Sequence, residues 1–262
     1  MLSVFADHLD TLDRYADAAV IPWASPVPYF GGAPTATVAT VGINPSNLEF
    51  ADEEGAELDG HRRRLPTLRS LELARWEEAN SVHLRELVAG CDGYFRGRPY
   101  DRWFGVLERV LRPAGFTYYG EIPTACHLDL VAFATLEKWS ALPARGRARL
   151  LDSSREAFGL LVRSTPATLL LLNGRSVVDA FGRLANSVLE PMHAPAWDLL
   201  RPNGSVPGTA YLGTITELGG VPLDREVTVA GWNHNLQSSF GVTSVAVAAI
   251  GEWVASIGRG LQ

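Results

Sequence analysis

The chain has 262 residues, of which 47% are apolar and 20% charged, and a formal net charge of −6. That fits a single α/β domain over residues 1–262, and no apolar run reaches the roughly 18 residues that a membrane span needs. The two cysteines, Cys91 and Cys126, are too few and too far apart for a disulfide framework or a four-cysteine metal or iron–sulfur site.

Residues 3–19 place Val4, Phe5, Leu9, Leu12 and Tyr15 at helical spacing. The Pro- and Gly-rich stretch that follows reads as irregular chain. Residues 35–41 form a β-branched run ending at Gly42, which predicts a buried strand. Residues 47–65 are acidic and then basic, and predict a long functional loop. Residues 67–91 carry one or two helices, and residues 100–111 another, with Trp103, Phe104, Leu107 and Leu111 on one face. Residues 125–132 predict a second strand, 148–163 a helix, and 167–172 a third strand. Asn173-Gly174 turns into a helix reaching about Leu189. Residues 190–224 read as loops with a hairpin among them, 226–231 as a fourth strand, and 242–257 as the closing helix. Four continuous apolar strands alternating with helices predict a three-layer α/β/α fold around a mostly parallel four-stranded sheet.

The start of the chain carries acids early and lacks a basic leader, so a cytoplasmic protein with reduced thiols is expected. A net negative charge argues against non-specific nucleic-acid binding, yet the arginines cluster. Arg62, Arg63 and Arg64 form one group, Arg96, Arg98 and Arg102 a second, and Arg145, Arg147 and Arg149 a third. Arginine suits phosphate because its fork donates two hydrogen bonds at once. A solvated surface patch is the plain alternative for each group.

Ligands of open parallel sheets bind beyond the carboxyl ends of the strands. The first predicted strand ends in Gly42-Ile43-Asn44-Pro45-Ser46, and the second carries His127 and Asp129. The third ends at Asn173, and the fourth runs into Trp232-Asn233-His234-Asn235 and on to Ser238-Ser239. Four strand ends bearing amides, hydroxyls, imidazole or carboxylate predict one site at one sheet edge.

A strand running into Gly-Ile-Asn-Pro resembles the first catalytic motif of the uracil-DNA glycosylase superfamily, in its mismatch-specific and single-strand-selective branches. The resemblance implies that Asn44 positions an attacking water. It also implies that the loop after the last strand, with His234 and Asn235, holds the departing base and meets DNA, with Ser238 beside it. His127, Asp129 and Asn173 then stand where the family reads the base edge. Phe50 is the nearest aromatic to the motif for stacking on a base, with Tyr94, Tyr100 and Trp103 as further candidates. The iron–sulfur branches are excluded by cysteine count.

Each residue also has a plainer reading. Asn-Pro is a common turn. His127 and Asp129, two apart on one strand face, are equally a satisfied core pair. Asn173 is placed to cap the next helix, and the aromatic residues are ordinary core material.

The expected activity is hydrolysis of an N-glycosidic bond in DNA after the base is flipped out, with Asn44, Asp129 and His234 as the catalytic residues. Phe50, His127, Asn173 and Asn235 bind the base. Arg62, Arg63, Arg64, Arg96, Arg98 and Ser238 bind DNA. A carboxylate would repel the uracil carbonyls, so Asp129 points to a modified base, such as a bulky modified cytosine of phage DNA, and to a defence role beside repair. A lyase needs an amine nucleophile, and with Lys138 as the only lysine a monofunctional enzyme is expected. It would act as a monomer, without metal or other cofactor. A non-catalytic nucleic-acid-binding module and a nucleoside or nucleotide hydrolase are the competing readings.

Overall fold

The structure, a computed structural model, describes residues 1–12, 19–97, 101–185, 189–201 and 204–260. Its strands are β1 (Tyr29–Phe30), β2 (Val38–Gly42), β3 (Ala125–Asp129), β4 (Leu169–Asn173), β5 (Glu190–His193), β6 (Leu199–Arg201), β7 (Gly204–Val206), β8 (Thr209–Leu218) and β9 (Val221–Trp232). Its helices are α1 (Leu2–Leu12), α2 (Ser81–Asp92), α3 (Asp101–Leu111), α4 (Ala144–Ser164), α5 (Arg175–Ala185) and α6 (Ser244–Gly260).

The four anticipated strands form the centre of the sheet and pair in parallel, β3 with β2, β2 with β4, and β4 with β9. The sheet is wider than the sequence predicts. It has seven strands in the order β1-β3-β2-β4-β9-β8-β5, and the added ones are antiparallel. The physical reason is local. β1 is only two residues long, β5 is exposed throughout, and β8 is only partly buried and interrupted by Gly213. None of these gives the continuous apolar run that marks β2 and β4, each buried along its whole length. β8 and β9 make a long hairpin turned by Gly219 and Gly220, whose φ values of 64° and 86° suit residues without a Cβ.

Helices lie on both faces. Register places Thr40, His127 and Leu171 on one face and Val41, Leu128 and Leu172 on the other. On the first face, α3 sets the Phe104 ring 5.3 Å from the His127 ring and packs against α6. The second is covered by α5, with α4 touching both α5 and α1.

Residues 67–91 hold a single α-helix, α2, after two short 3-10 turns. Asn80 caps it, accepting from the Val82 amide at 2.8 Å. The 47–65 segment is irregular chain, as expected, with two short 3-10 turns and one isolated bridge. It begins with the 3-10 turn Asn47–Glu49, which Ser46 caps, and Ala51 bridges Glu57. No helix among the described residues is long and apolar enough to cross a membrane.

Candidate active site

Parallel pairing brings the carboxyl ends of β2, β3, β4 and β9 to one edge of the sheet. Two adjoining hollows open there and share the wall of residues 42–46 and Trp103. The inner one, of about 140 Å³, is lined by Phe30, Trp103 and Phe104 and by Glu49, His127 and Asp129. That is close to the ~150 Å³ of a cavity known to hold benzene, so it fits one small ring. The outer cleft, of about 430 Å³, is lined by Thr135, Lys138, Ser140, Asn173, Asn235 and Ser238. Inside is aromatic with two carboxyls. Outside are amides, hydroxyls, the Lys138 ammonium and the Glu137 carboxyl.

Asn44 stands where the two meet. Its amide nitrogen donates to the carbonyls of Pro45 at 3.1 Å and Phe133 at 3.3 Å, and to Thr135 Oγ1 at 3.3 Å. Thr135 spends its own proton on the Glu137 carbonyl at 2.7 Å. Carbonyls only accept, so the amide orientation is fixed. Among the described residues nothing donates to Asn44 Oδ1, leaving that oxygen to accept from a water or substrate.

His127 and Asp129 form a buried pair, Nε2 to Oδ1 at 3.5 Å. On its far side His127 Nδ1 meets Thr40 Oγ1 at 2.7 Å, and Thr40 is bonded in turn to the Tyr118 hydroxyl. Burial pushes the Tyr118 hydroxyl well above its ordinary pKa, so it keeps its proton and donates to Thr40. The Thr40 proton goes to His127, because the alternative acceptor, the Cys126 carbonyl, lies at 3.5 Å. The imidazole proton then sits on Nε2, facing Asp129. Burial raises Asp129 above the usual carboxylate range, and His127 pulls it part of the way back.

Glu49 is the residue that sequence reasoning missed. It is 2% exposed, and its Oε2 accepts from the Tyr94 hydroxyl at 2.8 Å and from Arg64 Nη1 at 3.5 Å. Burial pushes it up to about 7, against the pull of Tyr94 and Arg64, and Asp129 adds in the same direction. In sequence it opens an acidic run and reads as a solvated charge. Phe30 and Phe104 also escape notice, since only the β1–β3 pairing and α3 bring them here.

Other anticipated residues lie elsewhere. Phe50 is in the core, edge-on to Trp23 and off the cavity wall. His234 is buried and turned away, with Nε2 donating to the Trp197 carbonyl at 2.8 Å. Desolvation lowers its pKa. Asn173 borders the outer cleft, but its side chain is engaged. Oδ1 accepts from Trp232 Nε1 at 3.1 Å and the Leu236 amide at 3.3 Å, and Nδ2 donates to Gln237 at 2.7 Å. It does not cap α5. Asn235 Oδ1 accepts from the Gln237 and Ser238 amides. Arg62, Arg63 and Arg64 line a separate groove of about 600 Å³ with Tyr94 and Gly97. Arg62 sits near Asp52 and Asp59 at 3.8 and 3.9 Å. Arg96 is exposed, and Arg98 and Tyr100 lie outside the described residues. Lys138, the only lysine, lines the outer cleft.

Cys91 and Cys126 are buried free thiols, and no cluster of metal-binding side chains occurs among the described residues. No family model matches the sequence, and no curated protein is detectably similar to it. The uracil-DNA glycosylase resemblance therefore rests on the residues quoted for it.

Proposed function

We propose that this protein hydrolyses the N-glycosidic bond of a nucleotide in DNA, with the base in the inner cavity and the sugar-phosphate in the outer cleft. The observation that carries this reading is the junction. A one-ring aromatic cavity and a polar cleft share the wall that bears Asn44, whose carbonyl oxygen is held free at their meeting point. The bond to be cut joins a planar ring to a sugar, so it would lie there.

A base in a duplex is out of reach and must be flipped before it can enter. Phe30, Trp103 and Phe104 then offer it ring faces and edges. Asn44 Oδ1 accepts from a water and holds it against the sugar carbon, and holding two reactants in line is itself a large part of catalysis. Lys138 and the exposed arginines take phosphates.

Mass spectrometry of free bases released from uracil-containing, alkylated and phage-modified DNAs tests the reading. Wild-type protein releases a base from at least one of them, and Asn44→Ala slows release by about 10²-fold. Release that is indifferent to Asn44→Ala would sink the reading, as would no release from any substrate while the protein still binds DNA. Equal release from free nucleosides would make the substrate a monomer.

A further inference from the structure

We propose that Glu49 is the proton donor to the departing base, an inference that rests on the N-glycosidic reading above. Glu49 and Asp129 both line the inner cavity, where the base goes, and neither lines the outer cleft. Both are therefore placed where the base goes. Among the described residues both donors to Glu49, Tyr94 and Arg64, reach Oε2, so Oε1 is left for the ligand.

Cleavage leaves an electron pair on the base. A base departing as an anion would meet two carboxyls in a cavity walled by Phe30, Trp103 and Phe104. Like charges held close together away from water repel strongly. Arg64 supplies one positive charge and balances one carboxylate at most. The groups facing Glu49 are thus Arg64 and Tyr94 from its flanks and Asp129, with its partner His127, from β3. In that setting a proton delivered to the base removes the conflict, and a carboxyl titrating near neutrality is suited to deliver it.

The step balances. The water held by Asn44 bonds to the sugar carbon as the carbon–nitrogen bond breaks, and the bond's electron pair passes to the base. The Glu49 proton moves to the base. The surplus proton of the water leaves to solvent through the outer cleft, and Glu49 is reprotonated from solvent. One water is consumed, and a neutral base and an abasic sugar result.

The test is single-turnover base release by the full chain across about pH 5 to 9, on the same panel of uracil-containing, alkylated and phage-modified DNAs. Wild-type release falls about tenfold per pH unit above about 7. Glu49→Gln is slower by about 10²-fold below that pH and loses the fall. Glu49→Asp keeps it. Tyr94→Phe removes a group that draws Glu49 downward, so the fall moves to higher pH, and this variant serves if Glu49→Gln does not fold. An unchanged pH profile in Glu49→Gln or in Tyr94→Phe overturns the proposal while leaving the N-glycosidic reading intact. No release by wild type from any substrate overturns both.

Discussion

A methyl group on Gly42 would lie 2.5 Å from Asp129 Oδ1 and 2.8 Å from His127 Nε2. Glycine here is a matter of space for the imidazole–carboxylate pair, not of backbone freedom. Gly42→Ala is expected to displace that pair, at a cost typical of overpacking, about 1–3 kcal/mol, and to slow base release more than it lowers the denaturation midpoint. Equal activity in the variant would show that the position of the pair does not matter. Lys138 is exposed at the cleft, which suits a hydrated cation meeting phosphate. Lys138→Ala should weaken DNA binding and reduce the salt slope by about 1. Borohydride should trap no covalent adduct on abasic DNA, and a trapped adduct lost in Lys138→Ala would make the enzyme a lyase. Asn44, His127 and Asp129 were legible in the sequence because each sits at a strand end with unusual chemistry for its place. Glu49 was not, because its hydrogen-bond partners are Tyr94, distant in sequence, and Arg64, hidden in a basic run.

Asn173 shows what an amide at the end of an element does within the fold. It ends β4, and its side chain ties Trp232 on β9 to Leu236 and Gln237 in the following loop. Gln237 in turn donates to the Trp103 carbonyl on α3 at 3.1 Å. One amide thus joins two strands, a loop and the helix whose Trp103 walls both hollows. Asn173→Ala leaves the buried indole N–H unpaired, and should cost about 1–3 kcal/mol. Limited proteolysis should then cut faster within residues 233–243, and an unchanged cleavage rate would show that the loop is held by other contacts. The parallel strands were readable because burial on both faces makes their sequence continuous and apolar. The flanking strands were not. β8 alternates unevenly and slips register between Ile215 and Glu217. It is placed instead by close backbone approach to α4, where a Cβ on Gly159 would fall 2.1 Å from the Leu218 carbonyl.

Across the whole molecule, buried ionisable groups pull stability in opposite directions as pH changes. His8 is buried on α1 against Phe133, and burial lowers it from 6.5 to about 4. Between those values the unfolded chain binds a proton that the native state refuses, so stability is lost as pH falls from 6.5 toward 4. His234 is lowered too and adds in the same sense. Glu49 does the reverse. Raised from 4.5 to about 7, it holds a proton in the native state that the unfolded chain gives up. Its contribution is complete below 4.5 and is lost as pH rises through 7. Asp129 is also raised and acts with it. Either displacement, from 6.5 to about 4 or from 4.5 to about 7, corresponds to about 3 kcal/mol at roughly 1.4 kcal/mol per pH unit. The two nearly cancel where they overlap. Wild-type stability, read as urea midpoints, is therefore expected to be nearly flat from about pH 4.5 to 6.5. Glu49→Gln removes one of the two falling contributions and leaves Asp129 against the two histidines, so its stability should climb with pH through that window. His8→Gln leaves only His234 against Glu49 and Asp129, so its stability should decline over the same range. Opposite slopes in the two variants would show that the carboxyl facing the inner cavity is protonated in the native state at mildly acid pH. Parallel slopes would mean that Glu49 ionises at its ordinary value and is not held against solvent by the fold.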